Sequence, residues 1–95
     1  MSKDSHIGIA GVKMKIMPET PEIDMKELEH KVKAIVVAEG GINNAYEIEP
    51  IAFGLKALIA FFQWPEDKAL EKVEEEINAL DNIKSVQTID IRKIA

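Results

Sequence analysis

Leu55-Lys56-Ala57-Leu58-Ile59-Ala60-Phe61-Phe62-Gln63-Trp64 is the most hydrophobic run in the chain, and it lies between Gly54 and Pro65. A run this short cannot cross a membrane as a helix; bounded by two turn formers, it reads as a strand in the middle of a sheet. Alternation sorts its side chains. If Leu58, Ala60, Phe62 and Trp64 face the helices, Ile59 and Phe61 point outwards, and the reverse assignment only exchanges the sets. Either way, a central strand carries apolar groups on both faces. Such a patch marks an interface, is covered by a loop or the N-terminal tail, or lets the domain associate weakly with itself through that open face.

Upstream of this run, Ile42 to Ile51 forms a weaker strand with Tyr46 and Ile48 on one face, and Pro50 near its end suits a sheet edge. Gly40-Gly41 ends a helix that starts at Asp24, with Glu27 three residues on in a capping-box pattern. Met25, Leu28, Val32 and Ile35 recur at helical spacing as its buried face, while Glu27–Lys31 and Glu29–Lys33 pair on the wet side. Ile7 to Met17 is a strand in which Val12, Met14 and Ile16 alternate with Lys13 and Lys15. Gly8 and Gly11 place a bulge in its first half, and Pro18 and Pro21 close it. Downstream, Pro65 is expected to open a second helix whose buried stripe is Ala69, Leu70, Val73, Ile77 and Leu80. A last strand covers Ile83 to Ile94, with Ile89 and Ile91 as its strongest apolar positions.

The order is strand, helix, strand, strand, helix, strand. Two right-handed strand–helix–strand halves interlock into one four-stranded antiparallel sheet with both helices on one face. This is an α+β fold, the ferredoxin-like βαββαβ sandwich. Residues 1–6 are expected to be a flexible polar tail and residues 7–95 a single domain.

Composition narrows the function. Apolar residues make up 46% of the 95, enough for one modest core. With no signal stretch and no membrane-length apolar run, a soluble cytoplasmic protein is expected. The lack of cysteine removes disulfides, thiolate chemistry and the common zinc sites. Twelve basic against 17 acidic side chains give a net charge of −5. That balance argues against direct nucleic-acid binding, which draws its affinity from phosphate neutralisation, and fits a partner protein with a basic patch.

Catalytic chemistry is scarce. Ser2, Ser5 and Ser85 lack a nucleophile-elbow context, His6 falls in the tail and His30 on a helix, and no glycine loop ends in Gly-Lys-Ser/Thr. Glu71, Glu74, Glu75 and Glu76 crowd the second helix without the carbonyl loop that a hard-cation site needs, so they read as a solvated face. Arg92 is the only arginine, which leaves an acylphosphatase-type phosphate cradle unfurnished. No cofactor or metal ligand is expected.

Two segments carry a family resemblance. Glu49-Pro50-Ile51-Ala52-Phe53-Gly54-Leu55-Lys56-Ala57-Leu58 resembles the proline–hydrophobe–small–aromatic–glycine loop of the elongation factor one beta/delta family. Ile89-Asp90-Ile91-Arg92-Lys93-Ile94 is similar to that family's terminal strand, although the chain runs one residue further, to Ala95. Val12-Lys13-Met14-Lys15-Ile16-Met17-Pro18 and Asp24-Met25-Lys26-Glu27-Leu28 also match, and the length matches the archaeal form, in which the exchange domain stands alone. The resemblance implies a guanine-nucleotide exchange factor with no active site of its own. It would release GDP from the GTPase elongation factor one alpha by displacing its magnesium ion. Lys93 matches the lysine that reaches the magnesium site, and Phe53 the aromatic that docks on the partner's second domain. Arg92, Ala52 and Gly54 flank them as partner-binding residues. Two other modules share the layout: an RNA-binding domain with aromatics on its open sheet, and a small-molecule regulatory domain that dimerises through that sheet. The first strand has no aromatic, which weakens the RNA alternative.

Overall fold

The computed structural model describes residues 8–94. It contains β1 (Ile9–Pro18), α1 (Met25–Glu39), β2 (Ile42–Pro50), β3 (Lys56–Pro65), α2 (Glu71–Asn78) and β4 (Ile83–Lys93). The tail expected over residues 1–6, the start of the first strand at Ile7, and Ala95 lie outside the described residues. The strands pair antiparallel in the order β2-β3-β1-β4. This is the expected ferredoxin-like arrangement: the hydrophobic run is central, and the strand ending in Pro50 is an edge.

Register settles which way β3 faces. Val12, Met14 and Ile16 stand opposite Phe62, Ala60 and Leu58, and all six are in the core with Val32, Val36, Val73 and Ile77 of the two helices. Leu58, Ala60, Phe62 and Trp64 therefore face the helices. Phe62 and Trp64 meet edge to face, with ring centroids 5.8 Å apart. On the open face, Lys15 and Lys13 stand opposite Ile59 and Phe61. The Lys13 ammonium lies 5.5 Å above the Phe61 ring, and Lys15 reaches Glu49 at 3.8 Å. Their aliphatic stems cover the strand, and Ile59 is only 4% exposed. The apolar patch expected there is thus largely roofed by lysine.

The caps follow local chemistry. The Asp24 carboxylate accepts from the N–H groups of Lys26 and Glu27 at the start of α1. At the other end, Gly40 adopts φ +111°, Gly41 N–H donates to Val36 O, and Gly40 N–H donates to Val37 O. That pair of bonds is a Schellman motif, and it requires the left-handed residue that Gly40 supplies.

Three expectations are corrected. Pro65 does not open a helix; it ends β3 opposite Ile9, at a strand terminus where its missing N–H leaves no gap in the ladder. The Lys68 N–H donates to Pro65 O in a turn, and α2 starts at Glu71. Ala69 is consequently exposed, and the buried stripe contracts to Val73 and Ile77, with Leu70 and Leu80 partly packed. The bulge expected near Gly8 and Gly11 falls instead on β4, where pairing with β1 slips between Lys13 and Met14 and again between Met17 and Pro18. Two slips on an unpaired edge twist it and blunt its tendency to recruit another strand. Among the described residues no helix is long and apolar enough to cross a membrane.

Candidate partner-binding site

The residues singled out in the sequence occupy two separate ends of the domain. At one end the β2–β3 hairpin closes through Ile51 N–H to Leu55 O at 2.8 Å and Leu55 N–H to Ala52 O at 3.1 Å. Between these bonds Phe53 and Gly54 adopt φ +60° and +78°. Two successive left-handed residues make a type I′ turn, the form whose twist matches the flanking strands. Glycine adopts this backbone freely; a phenylalanine in it is strained by roughly 1–2 kcal/mol. Phe53 is also 96% exposed. Hydrophobic burial contributes nothing to keeping a ring there, and backbone strain opposes it. Ala52 and Gly54 are exposed beside it.

At the other end, β4 finishes alongside the start of β1, with Lys93 opposite Ala10 and Arg92 opposite Gly11. Ala10 is in the core, so Lys93 springs from the helix side of the sheet, whereas Arg92 springs from the open side. The Lys93 side chain is nevertheless 70% exposed, and neither helix covers it. Its ammonium stands 3.8 Å from Glu66 Oε1, on the turn that follows Pro65. Arg92 Nε donates to Asp90 Oδ2 at 2.8 Å, which occupies it on its own strand.

The two ends are far apart. Lys56 pairs with Pro50 beside the Phe53 turn, and Trp64 pairs with Ala10 beside Lys93. The length of β3 between them is ~26 Å at ~3.3 Å per residue. No single small-molecule pocket brings Phe53 and Lys93 together, but a protein partner spanning both ends could contact each.

Elsewhere the chemistry is ordinary. Among the described residues no group of three or more histidine, cysteine or carboxylate side chains is placed to hold a metal ion. Of the α2 glutamates, Glu74 accepts a hydrogen bond from Thr88 Oγ1 at 2.6 Å, which ties α2 to β4. His30 is exposed on α1. A helix starting at Pro65 would put Glu66 in its first turn, so the sequence does not bring Glu66 to Lys93. Ile91, among the strongest apolar positions of the last strand, is 56% exposed, two residues from Lys93 on the same face. Strand parity with Lys93 was the signal available for it.

Comparison with known proteins adds the family. Residues 11–95 match the family described as EF-1 guanine nucleotide exchange domain. Proteins named Elongation factor 1-beta are similar over most of the chain. That of Methanococcus aeolicus is 37% identical, the match covering 90% of this chain and 97% of the relative. That of Nanoarchaeum equitans is 41% identical over 85% and 93%, and that of Methanosarcina acetivorans 37% identical over 93% and 100%. A solved structure titled BlrP1 BLUF superposes with TM-score 0.60 at 16% identity, covering 96% of this chain and 58% of that one; this is a likeness of fold alone.

Proposed function

The chain belongs to the EF-1 guanine nucleotide exchange family, and on that premise we propose that it releases GDP from the elongation factor 1-alpha GTPase. Lys93 drives magnesium from the nucleotide pocket while Phe53 anchors a second region of the partner. The observation that carries this reading is the placement of Lys93: its ammonium projects from the rim of the sheet, 70% exposed, and among the described residues it pairs with Glu66 at 3.8 Å.

The magnitudes favour the mechanism. An ammonium ~4 Å from a divalent cation feels roughly 8 kcal/mol of repulsion at an effective dielectric of ~20. Since ~1.4 kcal/mol is a tenfold change in binding, even half that repulsion empties a magnesium site. Magnesium bridges nucleotide phosphates to the protein, so losing it loosens GDP. Detaching Lys93 from Glu66 is inexpensive, because exposed ion pairs are worth about 0–1 kcal/mol. By linkage the factor then binds the nucleotide-free GTPase more tightly than the GDP-loaded form. No covalent step is involved: the chain weakens GDP binding while it is docked and so accelerates release.

The experiment is GDP release from the GTPase loaded with a fluorescent analogue. Addition of this protein should accelerate release, and Lys93→Ala should remove most of the acceleration. Release by Lys93→Ala as fast as by wild type overturns the lysine mechanism.

A further inference from the structure

Gly11 stands in the interior of a central strand, where a residue without a side chain is the poorest local choice. Its surroundings show what the vacancy admits. A Cβ built on Gly11 would lie 2.7 Å from Ile94 Cδ1 and 3.3 Å from Ile94 Cγ1. The Ile94 side chain therefore crosses the open face of β1 through the space a larger residue would fill. Ile94 N–H donates to Ile9 O at 2.8 Å, one residue beyond the last Lys93–Ala10 pair. On the other side of Lys93, Glu66 N–H donates to Gly8 O at 2.8 Å, which sets the carboxylate 3.8 Å from the ammonium.

We propose that Gly11 is a positioning residue for Lys93: by leaving room for Ile94 to lie across β1, it clamps the last residues of β4 and fixes the direction in which the ammonium leaves the rim. The inference rests on the exchange reading above. Without the clamp, Lys93 sits at the end of an edge strand held on one side only, where fraying is the default. With it, the base of the side chain is rigid, and only the flexible methylenes move as the ammonium enters the partner's pocket. The collision in Gly11→Ala involves mainly the tip of a flexible side chain, so Ile94 swings aside and the sheet stays closed.

The test measures stability and exchange in the full chain. Gly11→Ala should unfold at the same temperature as wild type or higher, because alanine suits a strand better than glycine. Its maximal acceleration of GDP release should nevertheless fall about tenfold, less than the ~10²-fold that a full 1 Å misplacement of a reacting group can cost. The concentration giving half-maximal acceleration should hold, since Phe53 at the far end is untouched. The amide of Ile94 should exchange with solvent faster in the free variant. Gly11→Ala should add no further loss in an Ile94→Ala background, where nothing remains to collide, nor in a Lys93→Ala background, where nothing remains to position. Wild-type acceleration by Gly11→Ala, or an equal loss in the Ile94→Ala background, overturns the clamp. If Lys93→Ala itself leaves acceleration intact, the exchange mechanism falls and the clamp with it. If Lys93→Ala slows release and Gly11→Ala does not, the clamp alone is wrong.

Discussion

Phe53 and Lys93 stand beyond opposite ends of strand β3, Phe53 past the Pro50–Lys56 pair that closes the hairpin and Lys93 beside Ala10, which pairs in turn with Trp64. Sites this distant, with no shared neighbours, act additively. Phe53→Ala should therefore raise the concentration of factor needed for half-maximal GDP release by about tenfold or more, the worth of burying one aromatic ring, and leave the maximal rate in place. Lys93→Ala should do the reverse. The double variant should show both losses in full, and a marked departure from additivity would mean that the two ends are coupled through the domain.

The Phe53 turn sets function against stability. Because the ring is solvated and its φ is +60°, Phe53→Asn exchanges a strained residue for one that tolerates the left-handed region. Relief of about 1 kcal/mol should raise the melting temperature by roughly 4–8 °C in a domain of this size. The same variant should bind the partner more weakly. A fall in melting temperature would show that Phe53 packs on the domain itself.

The difference between Phe53 and the core residues also marks what the sequence could reveal. Periodicity carried the element order, the central placement of Leu58 to Trp64 and the edge position of the strand ending in Pro50, because alternation and turn residues are local signals. The orientation of β3 was not local. Ile59 and Leu58 are equally apolar, and only the register with Lys15 and Ile16 decides which lies under lysine stems and which under helices. Pro65 misled for a similar reason, since a proline that can open a helix can equally end a strand, and its pairing with Ile9 comes from a residue far away in sequence. Lys93 and Phe53 were legible only through family resemblance. Their chemistry lies in where they project, and no spacing encodes that.

Burial separates two aliphatic residues that composition treats alike. Leu58 is fully buried between sheet and helices, whereas Ile91 on β4 is 56% exposed. Leu58→Ala should destabilise by about 2–5 kcal/mol through lost contacts and the cavity left behind. Ile91→Ala should stay within about 0.5 kcal/mol, as surface changes usually do. Denaturant unfolding of the pair measures both. A large cost at Ile91 would reveal that the end of β4 is packed more tightly than its exposure indicates.

Tyr46 offers a pH signature that can be read directly, because it is the only tyrosine in the chain. It stands opposite Ala60, on the helix side of β2, and its buried hydroxyl has no hydrogen-bond partner among the described residues. Burial, and secondarily the Glu29 carboxylate, push its ionisation up from 10.0 to about 12. Both folded and unfolded chains keep the phenolic proton below pH ~10, the usual tyrosine value, so the stability linked to this group is fully present there. Above that, the unfolded chain binds fewer protons than the folded one, and stability is lost as pH rises through about 12. Phenolate absorbance in the folded protein should titrate with a midpoint well above that of the denatured chain. Tyr46→Phe should remove this part of the alkaline loss, so that the stability difference between wild type and variant depends on pH only above ~10. Near neutrality the variant should be as stable as wild type or more so, because it deletes an unsatisfied polar group while keeping the ring. A folded-state midpoint near that of the denatured chain would mean that water or a partner group reaches the hydroxyl after all.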